Sequence, residues 1–188
     1  ILSAASGYLS SMNSSDNTGN DILYGGAGSD TLIGSLGDNI LDISGIKSLR
    51  NIDFENGFRR IGSGVTWTDI VENNNLPNCY DMLKECSLQI GSQQIQNLGT
   101  IGGNLCNASP AADSVPALVA AGAVARVAGP SGTREVPAIK IPTGPGKTSL
   151  AKGEIIEAVV LPKPEARAGD AYLRFIPRTE MDIAVVGV

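Results

Sequence analysis

Residues 99 to 113 contain residue types that can bind an anionic ligand. The segment reads Gly-Thr-Ile-Gly-Gly-Asn-Leu-Cys-Asn-Ala-Ser-Pro-Ala-Ala-Asp. Because Gly102 and Gly103 have no side chains, backbone N–H groups can approach a ligand closely there, and successive N–H groups form a concavity that suits a phosphate. Three polar side chains follow within a few positions: Asn104, Ser109 and Asp113. The segment predicts a phosphate-binding loop, and a tight turn without a ligand is the alternative that spacing alone leaves open.

The elements around this segment decide how it could bind an anion. We expect a helix from about Ala111, so the loop would lie where a helix N-terminus adds its positive dipole end. The glycines do not form the Gly-x-Gly-x-x-Gly fingerprint of a Rossmann dinucleotide site. The glycine pair alone is therefore compatible with either interpretation.

Composition excludes several classes of site. The 188 residues include no histidine, which excludes Ser-His-Asp triads and histidine-ligated zinc from this chain. Cys79, Cys86 and Cys106 contain no Cys-x-x-Cys pair and cannot hold a four-thiolate cluster alone. We expect them to be small buried side chains in a reducing compartment, the cytoplasm. The sequence predicts no catalytic residue and no metal site.

The distribution of charge and apolar residues limits the partners. No run of 18 apolar residues is present, so we expect no membrane span, and no cationic and apolar leader suggests secretion. Residues 1 to 46 contain five acidic and no basic residues, whereas the remaining 142 residues carry 14 of each. This distribution argues against nucleic-acid binding, which requires clustered positive charge.

Four blocks of sequence resemble, in the same order, the FAD-binding (medium) subunit of the molybdenum hydroxylases, the family of xanthine dehydrogenases and aerobic carbon monoxide dehydrogenases. The blocks are Ile61-Gly-Ser-Gly-Val-Thr66, Thr100-Ile-Gly-Gly-Asn104 with Ala108-Ser-Pro110 and Asp113, Glu154-Ile-Ile-Glu157 with Pro162, and Arg178-Thr-Glu-Met-Asp-Ile-Ala184. The resemblance implies an α+β fold, a two-lobed PCMH-type FAD-binding domain with mixed sheets and flanking helices, truncated before the family's C-terminal lobe.

The resemblance also implies which residues hold FAD. The Thr100 hydroxyl and the backbone of Gly102 and Gly103 would hold the pyrophosphate, and Asn104 would orient the loop or contact the diphosphate. Asp113 would bind the adenosine side. Ile156 would pack beside the adenine or flavin, and Arg174 would place a positive charge near the cofactor. The full implied set is Gly25, Gly26, Thr100, Ile101, Gly102, Gly103, Asn104, Ser109, Asp113, Ile156 and Arg174.

The function that the resemblance implies is electron transfer by an oxidoreductase subunit. A molybdopterin-containing large subunit would oxidise the substrate, and an iron–sulfur small subunit would relay electrons to FAD. FAD would then pass them to NAD or another acceptor. Nothing in this sequence supplies molybdenum or cluster ligands, so we expect those groups on partner chains.

The first quarter of the chain has a second interpretation. A nine-residue period places glycine, then Asp or Asn, then leucine at fixed spacing: Gly19, Gly28 and Gly37; Asp21, Asp30 and Asn39; Leu23, Leu32 and Leu41. This period resembles the RTX calcium repeat. The competing interpretation takes Ile22-Leu-Tyr-Gly-Gly26 as a degenerate first flavin loop, and we favour that or a foreign segment. The alternative function is an RTX-type calcium-binding structural or adhesion module that carries a non-functional flavin-domain fragment.

We expect three segments along the chain. Residues 1–20 would be a poorly ordered or foreign leader, residues 21–95 the first FAD-binding subdomain and residues 96–188 the second. In the first subdomain, Asn-Gly at position 57 predicts a hairpin, and Thr66 predicts a capped helix reaching Asn73. Strands are expected at Val124 to Ala128, Thr133 to Val136, Ile155 to Leu161 and Ala171 to Ile176.

Overall fold

A computed structural model describes residues 22–24, 40–42, 47–55, 57–178 and 184–188. The chain divides into two units, Ile1–Arg50 and Asn51–Val188. In the first unit, β1 (Ile22–Tyr24) and β2 (Ile40–Asp42) pair in parallel, and a short 3-10 helix spans Lys47–Arg50. Gly25, Gly26 and most of the nine-residue period lie outside the described residues, so the predictions made on them remain predictions.

The second unit contains a five-stranded antiparallel sheet. Its strands are β3 (Ile52–Glu55), β4 (Phe58–Gly62), β5 (Val124–Gly129), β6 (Gly132–Pro137) and β9 (Ile155–Leu161), in the order β3-β4-β9-β5-β6. The predicted hairpin is present, and Gly57 at its turn has φ +88°, a conformation that glycine adopts without strain. Because β4 pairs with β9, the sheet joins residues on both sides of position 95. The subdomain boundary expected there stays a prediction.

The described part of the second unit also contains two further pairs of short strands, five α-helices and two 3-10 helices, Asn78–Tyr80 and Ala138–Lys140. β7 (Pro142–Gly144) pairs with β8 (Lys147–Thr148), and β10 (Arg174–Phe175) pairs with β11 (Val186–Gly187). The helices are α1 (Trp67–Glu72), α2 (Asp81–Leu88), α3 (Gln93–Leu98), α4 (Ile101–Asn107) and α5 (Ser114–Ala120). The combination of antiparallel sheets and helices confirms the α+β prediction. Among the described residues, no helix has the length and apolar character that crossing a membrane would need.

Local sequence explains why α1 begins where it does. The Thr66 hydroxyl accepts a hydrogen bond from the Asp69 N–H, and the Asp69 carboxylate accepts one from the Thr66 N–H. This reciprocal capping box satisfies two N–H groups that the helix itself cannot pair. The helix ends at Glu72, with Asn73 as its C-cap. The predicted start and end are therefore confirmed.

The hydrophobic core lies between one face of the sheet and the helices. Alternate residues of the strands point into it, so Ala125 and Val127 are fully buried whereas Val124 and Arg126 are half-buried. The core cluster also includes Trp67, Ile70, Leu83, Ile101, Leu105 and Leu118 from the helices. Trp67 is only 1% exposed and packs within this core.

An ion pair fixes the outer strand of the sheet and gives a pH-dependent prediction. Two Arg134 nitrogens donate to the two Glu154 carboxylate oxygens over 2.8 and 2.7 Å. These bonds, with one from the Ala151 N–H, lower the pKa of Glu154 from 4.5 to about 2. Because the folded pKa is depressed, the pair stabilises the fold above about pH 4.5, and this stabilisation is lost as the pH falls towards about 2.

We therefore expect Glu154→Gln to lower the melting temperature slightly at neutral pH, and expect the difference from the parent to disappear as the pH falls to about 2. Thermal unfolding followed by circular dichroism at a series of pH values measures this difference. Glu135→Gln is the matched control, since Glu135 directly follows Arg134 on β6 and its carboxylate lies 4.0 Å from Arg126. A pH-independent difference between Glu154→Gln and the parent would contradict the assignment.

Candidate cofactor site

The Gly-Gly segment is the first turn of a helix and not an open loop, so the loop predicted ahead of a helix at Ala111 is wrong. Thr100 is the N-cap of α4, and its hydroxyl accepts a hydrogen bond from the Gly103 N–H over 3.1 Å. α4 ends at Asn107, and α5 begins at Ser114. The polar cap offsets the poor helix propensity of the two glycines.

Backbone carbonyls of the turn after β4 accept hydrogen bonds from the first N–H groups of α4. The Ile101 N–H donates to the Val65 carbonyl over 3.1 Å, and the Gly102 N–H donates to the Ser63 carbonyl over 2.9 Å. Thr66 and Thr100 also form an isolated β-bridge. The Gly102 amide is therefore bonded to the backbone, whereas the Gly103 amide has one partner among the described residues, the Thr100 hydroxyl, which can rotate.

The two glycines have different surroundings. Gly102 is buried, and a Cβ built there would lie 2.5 Å from the Ser63 Cβ and 2.9 Å from its carbonyl oxygen. Gly103 is exposed, and a Cβ there would meet only the Thr100 hydroxyl, at 2.9 Å. Gly102 thus permits close packing of α4 on the turn, and Gly103 leaves open space on the outer side.

Ser63, a residue of the first sequence block without an implied cofactor role, lies against Gly102 at this helix end. Its side-chain oxygen is buried and has no hydrogen-bond partner among the described residues. Buried polar atoms are usually paired, so an unpaired hydroxyl next to Gly102 marks a place where a ligand group or a water molecule can bind.

The predicted polar side chains after the glycines support the local structure. The Asn104 side-chain oxygen accepts a hydrogen bond of 2.6 Å from the Ser114 hydroxyl, which ties α4 to the start of α5. The Ser109 hydroxyl accepts one from the Ala111 N–H over 3.3 Å. Both residues therefore shape the connection between the two helices.

Asp113 and Arg174 are 61 positions apart in the sequence, and the fold brings them together. Asp113 immediately precedes α5, and its Oδ1 lies 3.5 Å from the Arg174 Nε. The same oxygen accepts a hydrogen bond from the Tyr172 hydroxyl over 3.0 Å. The side chains of Asp113 and Arg174 are only 13% and 14% exposed, so this ion pair is largely shielded from solvent.

Ionisation around this pair is shifted by burial. Burial, followed by the negative charge of Asp113, raises the pKa of the Tyr172 phenol above its ordinary value of 10. Burial also raises the pKa of the Cys86 thiol to about 12. At neutral pH the phenol therefore remains a hydrogen-bond donor, and the Cys86 thiol is a poor nucleophile.

Ile156 lies apart from these residues. It is a buried core residue of β9, paired with Val127 across the sheet at an irregularity in the strand register. A role for Ile156 beside the adenine or flavin stays a prediction, as do the cofactor roles of the other implied residues.

Two cavities differ in whether a predicted site residue borders them. A cavity of about 270 Å³ opens on the face of the sheet away from the core and is bordered by Phe58, Arg60, Val124 and Arg126. A smaller one, of about 50 Å³, is bordered by Asp113, Tyr172 and Gly187. Of these two cavities, only the smaller is bordered by a predicted site residue, Asp113, whose carboxylate lies beside the Tyr172 hydroxyl and the Arg174 guanidinium.

Comparison with known proteins identifies the family. Residues 20–164 match the model of a family described as the FAD binding domain in molybdopterin dehydrogenase. This match covers more than half of the chain. The chain belongs to this family. The resemblance to this family is thereby confirmed, and so is FAD as the cofactor.

Individual relatives agree with the family assignment. The chain is 36% identical over 150 residues to the xanthine dehydrogenase FAD-binding subunit of Escherichia coli O157:H7, a match that covers 79% of this chain and 51% of that protein. It is 32% identical over 153 residues to the nicotinate dehydrogenase FAD-subunit of Eubacterium barkeri, covering 80% and 52%. The chain thus spans about half the length of the curated relatives it matches.

A solved structure supports the fold. The crystal structure of the Cu,Mo-CO dehydrogenase in its cyanide-inactivated form contains a chain that superposes with a TM-score of 0.75 at 29% identity. The superposition covers 81% of this chain and 53% of that one. The α+β fold predicted for an FAD-binding domain of this family is confirmed by this match.

The residues around α4 fit a bound FAD in their chemistry. Gly103 offers an exposed backbone position with open space, and Thr100 offers a hydroxyl beside it. Ser63 supplies an unpaired buried oxygen beneath them. A phosphate oxygen requires hydrogen-bond donors of this kind.

Proposed function

We propose that this chain is the FAD-binding part of an electron-transfer subunit in a molybdenum hydroxylase, with FAD held at the start of α4 and beside Asp113. The chain belongs to a family of FAD-binding domains, and the observation that carries the proposal is the difference in burial between Gly102 and Gly103. Gly102 is buried against Ser63, whereas Gly103 is exposed with open space. When bound, FAD supplies the redox chemistry of its isoalloxazine ring.

Each residue of the chain has a binding or orienting task. The Gly103 amide and the Thr100 hydroxyl would donate to the diphosphate, the hydroxyl exchanging its present bond with Gly103 for one to the ligand. The Gly102 amide has a different task from the one the sequence suggested, because its bond to the Ser63 carbonyl anchors α4. Arg174 would place a positive charge near the cofactor. Asp113 would accept a hydrogen bond from FAD.

The larger assembly extends from the same proposal. Relatives carry names such as FAD-binding subunit, FAD-subunit and medium chain, which supports an assembly with other subunits. We assign the molybdopterin centre to a large subunit and the iron–sulfur clusters to a small subunit, with NAD or another acceptor receiving the electrons. The three cysteines are free thiols, which supports a cytoplasmic location. The expectation that all three are buried is wrong, because only Cys86 is buried, whereas Cys79 is half-buried and Cys106 is exposed.

The test is flavin content and electron transfer in the purified full-length complex. Stoichiometric FAD, reduced on addition of the substrate and reoxidised by NAD, is the expected result. A complex without flavin would reject the proposal. Reduced flavin that is reoxidised by another acceptor but not by NAD would reject only NAD as the electron acceptor.

Asp113 gives a specific prediction about affinity. We expect Asp113→Ala to weaken FAD binding by about 1–3 kcal/mol, the cost of losing a hydrogen bond at a shielded site. Titration of the flavin-free protein with FAD measures the change. Asp69→Ala is a control, since that carboxylate is confined to the α1 cap and should affect stability and not FAD affinity. Equal affinities for the parent and Asp113→Ala would exclude Asp113 from the site.

A further inference from the structure

Tyr172 contacts the predicted cofactor residues although it lies outside all four sequence blocks. The residue is 5% exposed, and its hydroxyl donates to the Asp113 Oδ1 over 3.0 Å. Along this extended segment the side chains alternate, so Tyr172 and Arg174 point inwards while Leu173 and Phe175 are exposed. Tyr172 and Arg174 consequently meet the same carboxylate.

The phenol has little freedom to move away from Asp113. The Tyr172 N–H donates to a Glu85 carboxylate oxygen on α2 over 2.7 Å, which fixes the backbone at this residue. The Arg174 Nη1 donates to the Gln89 carbonyl over 2.8 Å. On the other side, a Cβ at Gly187 would lie only 2.9 Å from the phenol oxygen. The hydroxyl is therefore held where it can donate to Asp113.

This arrangement leaves one carboxylate oxygen for a ligand. Oδ1 of Asp113 is engaged by Tyr172 and lies beside Arg174. Among the described residues, none donates a hydrogen bond to Oδ2. The cavity of about 50 Å³ that Asp113 borders is also bordered by Tyr172.

We infer that Tyr172 is a positioning residue of the cofactor site: by holding Oδ1, it orients Asp113 so that Oδ2 accepts a hydrogen bond from FAD. This inference rests on the proposed function, in which Asp113 contacts the cofactor. Tyr172 itself need not touch FAD. Its effect on binding must then pass through the Asp113 carboxylate, and this dependence can be measured.

A double-mutant cycle in the full-length protein tests the inference. Flavin-free parent, Tyr172→Phe, Asp113→Ala and the double variant are each titrated with FAD. We expect Tyr172→Phe to weaken binding about threefold to tenfold, the range that one net hydrogen bond gives. In the Asp113→Ala background the same change should have no further effect, because the group through which Tyr172 acts is gone.

Glu85→Ala is the matched control for general anchoring of the segment. It removes the acceptor of the Tyr172 N–H but leaves the phenol and Asp113, so FAD affinity should stay within about twofold of the parent. A loss equal to that of Tyr172→Phe would overturn the inference, since anchoring alone would then explain the affinity. Melting temperatures of all variants show whether each one is folded.

The remaining outcomes separate the two proposals. If Asp113→Ala weakens FAD binding while Tyr172→Phe does not, the positioning role is rejected and the cofactor site stands. If Tyr172→Phe weakens binding equally in both backgrounds, Tyr172 does not act through Asp113 and the inference also fails. If the parent protein binds no FAD, the proposed function itself is rejected.

Discussion

Gly103→Val is expected to release FAD while the fold remains intact. The valine side chain would occupy the open space outside the first turn of α4 and would block the approach of a phosphate to the Gly103 amide. Within the protein, the new Cβ meets only the Thr100 hydroxyl, at 2.9 Å, and a side chain of that kind can rotate away. Losing one or two hydrogen bonds to a charged group weakens binding about tenfold to hundredfold or more.

Flavin absorbance per protein and the dissociation constant for FAD measure this effect. Gly169→Val is the matched control, since a Cβ at Gly169 meets no heavy atom within 4 Å and the residue lies outside the predicted site. The control should retain stoichiometric flavin. A Gly103→Val protein that also retained it would show that the diphosphate does not lie against this helix turn.

Gly102→Ala is expected to damage the fold and not only the site. The added methyl group would lie 2.5 Å from the Ser63 Cβ and 2.9 Å from the Ser63 carbonyl oxygen. The backbone oxygen cannot rotate away, so α4 or the turn after β4 must shift. Overpacking of this kind costs about 1–3 kcal/mol of the free energy of unfolding.

Urea unfolding measures the loss, and two further variants show its cause. Gly103→Ala, one residue along, should stay within about 0.5 kcal/mol of the parent, because alanine's better helix propensity offsets any weakening of the Thr100 cap. Ser63→Gly combined with Gly102→Ala should recover part of the stability, since it removes the Cβ contact and leaves the carbonyl contact. A Gly102→Ala protein as stable as the parent would contradict the close packing.

Local signals in the sequence predict the elements whose causes are local. The turn at Gly57 and the capping box at Thr66 and Asp69 each involve residues within a few positions of one another, and both are present. The strand predicted at Ile155 to Leu161 is also present. Its neighbours in the sheet were not predictable, because β4 and β9 pair across almost 100 residues and no local pattern encodes that partner.

The site shows the same division between local and distant causes. Sequence pattern and resemblance identify Gly102 and Gly103 as a pair but cannot distinguish them. Their different surroundings arise from Ser63, which is 39 positions earlier in the chain. The partner of Tyr172, Asp113, is 59 positions away, so no local motif points to Tyr172. The one available signal is that Tyr172 precedes Arg174 by two positions, and residues two apart on an extended strand lie on the same face.

The β-bridge between Thr66 and Thr100 has a consequence for protein engineering. α4 is only seven residues long, and a helix of that length is marginal in water by itself. Its first amides depend on carbonyls of the turn after β4. Residues 99–107 transplanted into a foreign scaffold would therefore lack their support, and a functional graft would have to carry residues 62–66 as a second, non-contiguous insert.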